Sequence, residues 1–328
     1  MAVQLASDFN GLRRRSFSRW ARYASYVPLY GIAFPIVKAL ELAGVWPKAM
    51  NRRAAIIPDF GDYKPTAHDV FVCAFFKAGT NWTLQIALQI AHRGKAEFDY
   101  IHSVVPWPDC PPVLTQAVIP LDNDSPRLRS PTGLRVIKTH DQLGKIPFAP
   151  EARYIAVTRD PKDACVSSYL FLRSLMLGPL MPSVENWVRL FCSPQFPGVT
   201  WAEHLASYWA VRDRPNVLFI TYDEMKKDSA GGIRRIAKFM NVDLSPPELA
   251  EVERRSDFAY MKREGSKFEP GQIVPWGSAG YMIRKGARGG ASELLTPDQQ
   301  RRIDDHCRAE LRRLGCDFPY DEAFGVRR

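Results

Sequence analysis

Four short runs rich in Val, Ile, Phe and Tyr recur along this chain: Val70–Phe76, Leu134–Thr139, Tyr154–Thr158 and Val217–Thr221. Runs of this composition and length predict strands. At least three of them lead into helical patterns, at Asn81–His92, Pro161–Leu175 and Gly232–Met240. Alternating strands and helices predict an α/β fold, with a central parallel sheet flanked by helices on both faces. Ligands of such sheets bind outside the carboxyl ends of the strands. The polar residues at those ends are therefore the first candidates for chemistry.

The first end reads "FFKAGTNW". Gly79 permits a tight turn and a close backbone approach. The helix that follows offers unpaired N–H groups and the positive end of its dipole, which suits an anion. Lys77 adds a point charge, and Thr80 and Asn81 add donors. GxxxxGK[ST] is absent, so this is not a Walker A loop. The second end reads "VIKTHD". Side chains alternate along a strand, so Lys138 and His140 share a side if the strand runs that far. The neighbouring lysine disfavours a second positive charge and leaves His140 a neutral base near pH 7.

The third end reads "VTRDPKDACVSSYLF". Asp160, Pro161 and Asp163 suit the cap, first position and first turn of a helix. Arg159 suits a phosphate dianion, and Ser167, two turns on, can reach the same ligand. An ordinary Arg159–acid ion pair is the simpler alternative. At the fourth end, Tyr222 can flank a base or simply fill the core. Asp223 and Glu224 read as helix-capping residues. A fifth piece, "YMIRKGARGG", sets Arg284, Lys285 and Arg288 among glycines, as in a loop that closes over an anion.

The formal charge of +10 favours anionic partners, but nucleic acid, anionic lipid and a phosphorylated cofactor all satisfy it. Six scattered cysteines without a CxxC pair read as reduced thiols. No zinc-finger spacing and no HExxH occur, so no metal is expected.

In order and spacing, "FFKAGTNW", "VIKTH", "VTRDPKDACVSSYLF", "ITYDEMKKD" and "IRKGARGG" resemble the cytosolic sulfotransferases. That family uses 3′-phosphoadenosine-5′-phosphosulfate (PAPS) as sulfuryl donor, and the resemblance runs from about Asp69 to about Thr296. It implies a P-loop-like strand–loop–helix, with Lys77, Gly79, Thr80 and Asn81 around the 5′-phosphosulfate. Trp82, Tyr222, Ser256 and Phe258 then match adenine-side positions. Arg159 and Ser167, with Arg284, Lys285 and Gly286, match the 3′-phosphate clamp. His140, Lys77 and Lys138 match catalytic positions, with His140 as base.

The chain also departs from the family. Phe76 and Ala78 stand where Pro and Ser are usual, and Gly289, Gly290 and Ala291 replace a common Gly-Asp-Trp. The family's short dimerisation motif is not visible. A P-loop nucleotide kinase would share the sheet and the phosphate turn, but not the paired 3′-phosphate ligands. A basic nucleic-acid or membrane-surface module would leave Lys138 and His140 idle.

The expected partner is a small-molecule acceptor, an apolar alcohol, phenol or lipid in preference to a polysaccharide, and not a nucleic acid. Pro106, Trp107, Pro108 and Pro111 suggest one apolar wall for it, and "LRSLMLGPLMPSVENWVRLF" another, although both stretches also suit plain packing. Residues 1–55 are expected to form a basic and apolar helical extension, and residues 56–328 the sulfotransferase domain. No convincing signal-peptidase site follows the basic start. Lys38 and Glu41 interrupt the apolar run, and Pro28 and Pro35 would break its helix. A helix packed on the domain or lying at a membrane surface is expected in preference to a span. The location expected is cytoplasmic, with peripheral membrane contact through this segment.

Overall fold

The computed structural model describes residues 19–42, 60–111, 117–194, 196, 198–269, 282–286 and 289–326. Strands β1 (Asp69–Ala74), β2 (Arg135–Thr139), β3 (Arg153–Thr158) and β4 (Val217–Thr221) form one sheet in the order β2-β1-β3-β4. All three neighbouring pairs are parallel, with Val70 opposite Val136 on one side and Arg153 on the other. Alternate residues serve the two faces. Val70, Val72, Ala74, Ile155, Val157 and Ile220 pack with Leu84, Leu88 and Ala91 of the Thr80–Ala91 helix. Phe71, Cys73, Ile137, Tyr154 and Ala156 face the other way, where Phe71 stacks on Tyr154 at 4.9 Å.

The expected parallel α/β sheet is therefore present, with small shifts at element ends. β1 stops at Ala74, because the chain turns there, with Ala78 N donating to Phe75 O at 2.9 Å. The helix expected from Gly232 begins at Ser229, where the Asp228 carboxylate accepts from Gly231 N at 2.8 Å. All six thiols are free.

From β1 the chain moves to β2 on one side, then crosses to β3 and β4 on the other. The carboxyl ends of β1 and β3 thus flank the point where the winding reverses, the usual ligand crevice of such sheets.

The Arg19–Leu42 helix runs through both Pro28 and Pro35, contrary to the expected break. Each proline removes a single backbone donor, and the remaining ladder carries the helix past it. Its C-terminal end docks on the domain. The Glu41 carboxylate accepts from Ser183 N and, at 3.2 Å, from Asn186 Nδ2. Val37 and Leu40 pack against the core beside it, while Ile32, Phe34, Ile36 and Leu42 are exposed. Among the described residues no helix is long and apolar enough to cross a membrane.

Candidate active site

The turn after β1 is built around two residues in unusual conformations. Lys77 has φ 66° and Gly79 φ 99°. A side chain at Gly79 would do more than strain the backbone, since its Cβ would lie 2.6 Å from Tyr222 Cδ2. The glycine lets the turn lie directly on the Tyr222 ring, which meets Trp82 edge-on at 5.4 Å. Trp82 Nε1 donates to Ser256 O at 2.8 Å and so ties the helix to the far wall. Gly286 repeats the device. A Cβ there would lie 2.3 Å from Phe258 Cδ2.

Lys77 Nζ lies 4.2 Å from the centroid of Phe171 and 3.3 Å from Met282 Sδ. Neither partner neutralises a charge. Burial pulls this ammonium down to about 7, with the charge of Arg159 acting in the same direction.

β2 ends at Thr139, so His140 lies just past the strand. Its backbone N–H is held by Asp109 Oδ2 at 2.6 Å, and its Nδ1 lies 2.7 Å from Ala74 O. A carbonyl can only accept, so Nδ1 carries the proton and Nε2 of the neutral ring has the free lone pair. Burial first, and Lys138 second, hold His140 well below its ordinary range. Sequence reasoning named the lysine, but the larger cause is burial. The ring is walled edge-on by Phe76 at 5.8 Å and Trp107 at 5.5 Å.

Lys138 is buried, and burial pulls it down to about 7 against the charges of Asp109 and Cys110. Its Nζ sits 3.1 Å from the Trp107 ring centroid and 3.4 Å from His102 Nε2. His102 Nδ1 lies 3.1 Å from Val105 O, which leaves its Nε2 as the acceptor for the lysine. Two imidazoles therefore flank one lysine, each fixed by a backbone carbonyl.

At the end of β3, Arg159 Nη2 donates to Asp163 Oδ2 at 3.1 Å, and its guanidinium lies 4.5 Å from the Tyr222 ring. Asp163 Oδ2 also accepts from Gly289 N at 3.1 Å. Asp163 thus does more than start its helix, because it ties the basic loop to β3. Arg284 and Lys285 pair with Glu293 at 2.8 and 2.7 Å.

Among the described residues, the site residues matched by the resemblance all line one cleft, from Lys77 and Gly79–Trp82 through Lys138, His140, Arg159, Ser167, Tyr222, Ser256 and Phe258 to Arg284–Gly286. Arg288 lies outside the described residues. Of the proline-rich wall, Trp107 reaches the cleft while Pro106, Pro108 and Pro111 do not. Among its described residues the 172–191 stretch contributes none of the lining. Its Trp187, Val188, Leu190 and Phe191 are buried in a core cluster, with Trp187 Nε1 donating to Cys165 O. His102 and Asp109 carried no motif, and Phe171 closed one without a role of its own. Only the apolar stretch around them hinted at a wall.

Two hydroxyls help define what fits. Thr80 Oγ1 and Ser256 Oγ are buried without a hydrogen-bond partner among the described residues, and both residues line the cleft. Buried polar groups of this kind call for a ligand or water. With cations at both ends of the cleft and aromatic rings between, the residues present fit an elongated anion carrying a flat ring. Among the described residues no group of His, Cys, Asp and Glu is placed to hold a metal ion.

Comparison with known proteins gives a consistent result. Residues 67–315 match the family model of the sulfotransferase domain. Sulfotransferase 1C2 of Oryctolagus cuniculus is 25% identical over 81% of this chain and 92% of its own length. Sulfotransferase 2A6 of Rattus norvegicus is 31% identical over 59% and 66%. Among solved structures, retinol dehydratase in complex with androsterone and the inactive cofactor PAP superposes with a TM-score of 0.64 at 21% identity, covering 81% of this chain and 86% of that one. A likeness at that identity speaks for the fold.

Proposed function

The chain belongs to the sulfotransferase domain family, and from that premise we propose that it transfers a sulfuryl group from PAPS to the hydroxyl or amine of a small apolar acceptor, with His140 as general base. The observation that carries this assignment is the bond from His140 Nδ1 to Ala74 O, 2.7 Å long. It commits one ring nitrogen and leaves Nε2 to take a proton inside the cleft. PAPS, when bound, supplies an activated sulfuryl group on a phosphate that can leave.

The chain's own residues do the rest. The turn from Lys77 to Asn81 holds the 5′ end by its N–H groups and the Lys77 ammonium. Arg159, Ser167, Arg284 and Lys285 hold the 3′-phosphate. Trp82, Tyr222 and Phe258 enclose the base, and Ser256 Oγ gains the partner it lacks. Lys138 carries positive charge at a buried point beside His140, where charge acts strongly. Phe76, Trp107 and Phe171 exclude water and set an apolar surface for the acceptor. The retinol dehydratase structure was solved with androsterone, an apolar alcohol, which agrees with that class.

A nucleotide panel tests the assignment. Titration with 3′,5′-bisphosphoadenosine, ATP and AMP should show clear preference for the first. Preference for ATP would favour a kinase, and indifference a module with no nucleotide site.

Residues 1–55 are read as an extension of a catalytic domain spanning 56–328, and the protein as cytoplasmic. The extension carries nine Lys and Arg against two Asp and Glu. Together with the exposed Ile32, Phe34, Ile36 and Leu42, this supports peripheral contact with an anionic membrane surface.

A further inference from the structure

Two of the three cations expected at the 3′-phosphate, Arg284 and Lys285, share one partner. Glu293 Oε1 lies 2.8 Å from Arg284 Nη1 and 2.7 Å from Lys285 Nζ, and Oε2 lies 2.9 Å from Arg284 Nη1. Hydrogen bonds from Lys285 and then Arg284 hold the Glu293 carboxyl below its ordinary range. Glu293 closes a single 3-10 turn, Gly290–Glu293, that follows the basic loop directly.

Gly290 stands at the centre of this arrangement. A Cβ there would lie 3.8 Å from Asp163 Oδ1, 3.8 Å from Glu293 Oε2 and 3.9 Å from Arg284 Nη2. The resemblance drawn from the sequence implies an aspartate at this position in the family. Here the position is a glycine, and a carboxylate from three residues further on enters the same space.

We propose that Glu293 is an internal counter-anion that competes with the 3′-phosphate for Arg284 and Lys285, and so sets how tightly this chain holds 3′-phosphorylated nucleotides. The proposal rests on the assignment of Arg284 and Lys285 to that phosphate. Both sides of each pair are partly exposed, so the pairs are weak enough for a phosphate dianion to displace. Displacement still has to break them, and a carboxylate that stays nearby repels the dianion. A nucleotide without a 3′-phosphate meets neither penalty.

Calorimetric titration of the full chain with 3′,5′-bisphosphoadenosine and with AMP tests this. Glu293→Gln keeps the shape and removes the charge, and Glu293→Ala removes both. Each should bind the bisphosphate about tenfold tighter, the loss of two exposed pairs converted to affinity, with AMP unchanged. Unchanged or weaker bisphosphate binding in both variants overturns the proposal and makes Glu293 a support for the loop. Tightening in the alanine variant alone also overturns it, because charge is then not the cause. Equal binding of the two nucleotides by the unsubstituted chain removes the clamp assignment itself, and the proposal with it.

Discussion

Gly79→Ala should damage both the fold and the nucleotide site, for two separable reasons. The new Cβ would sit 2.6 Å from Tyr222 Cδ2 and 3.1 Å from Cε2. Ordinary carbon contacts are about 3.5–4.0 Å, so something must move by roughly 1 Å. Tyr222 is buried, with Trp82 against it at 5.4 Å and the Arg159 guanidinium at 4.5 Å. It has little room to give. Overpacking of this kind costs about 1–3 kcal/mol. The φ of 99° adds about 1 kcal/mol or more for a residue with a Cβ. A total near 3 kcal/mol is expected in urea denaturation, with weaker binding of 3′,5′-bisphosphoadenosine because the turn carrying Lys77 shifts. Tyr222→Ala separates the two contributions. In that background Gly79→Ala should cost only the backbone part, which gives a coupling of about 2 kcal/mol between the sites. A single-variant loss under about 1 kcal/mol, or additive costs in the double variant, would refute the close-approach argument.

Other consequences are equally direct. His140→Ala should lower turnover by about 10²–10⁴ while bisphosphate binding stays near its original strength; unimpaired turnover would remove His140 as base. Arg159→Ala should weaken 3′-phosphorylated nucleotides by roughly 1.5–3 kcal/mol and AMP much less; equal losses would make the arginine structural. Lys77 and Lys138 are both pulled down to about 7 by burial, so kcat/KM for the donor should fall as pH rises through that range and the free enzyme loses its cations. A bound anion favours the protonated lysines, so the corresponding limb in kcat should lie at higher pH; a donor kcat/KM that stays level from about pH 6 to 9 would contradict the protonated lysines. Salt should release a vesicle-bound fraction of the full chain but not of a chain lacking residues 1–42, and extraction by detergent alone would contradict a peripheral attachment.

The sheet was legible because it is buried. Val70–Ala74 of β1 and Val136–Ile137 of β2 are enclosed apolar runs, so the polar residues at or just beyond their carboxyl ends stand out. Lys138 and His140 were found for that reason. His102 was not, because it lies in a 3-10 turn, Ile101–Ser103, within an irregular connection that has no period to read. Its partner Lys138 is 36 residues away and meets it only in the fold. Glu293 and Asp163 were hidden differently. Each has an ordinary local explanation, a turn residue and a helix-initiating acid, and only distance reveals the cations they hold. The prolines misled in the opposite direction. Pro28 and Pro35 are unfavourable inside a helix, yet the helix continues through both.

The same comparison explains why net charge said so little about the ligand. Residues 1–55 hold nine basic and two acidic side chains, seven of the ten surplus positive charges. The remaining residues carry a net charge of only +3. Within the cleft much of that surplus is locally answered, Arg159 by Asp163, Arg284 and Lys285 by Glu293, and Lys138 by the nearby charge of Asp109, while Lys77 faces the Phe171 ring and Met282 Sδ. Long-range attraction from a nearly balanced domain is modest and screened by salt. Recognition of an anion must then come from short-range contacts. In the proposed site it depends on lysines whose desolvation is unfavourable until an anion arrives, and on arginines that exchange a carboxylate for a phosphate. In the proposed peripheral attachment the basic extension acts on another scale, through longer-range attraction to an anionic surface. Raising salt from 0.05 to 0.5 M should therefore weaken surface attachment far more steeply than nucleotide binding, and parallel loss of both would show that one field serves both.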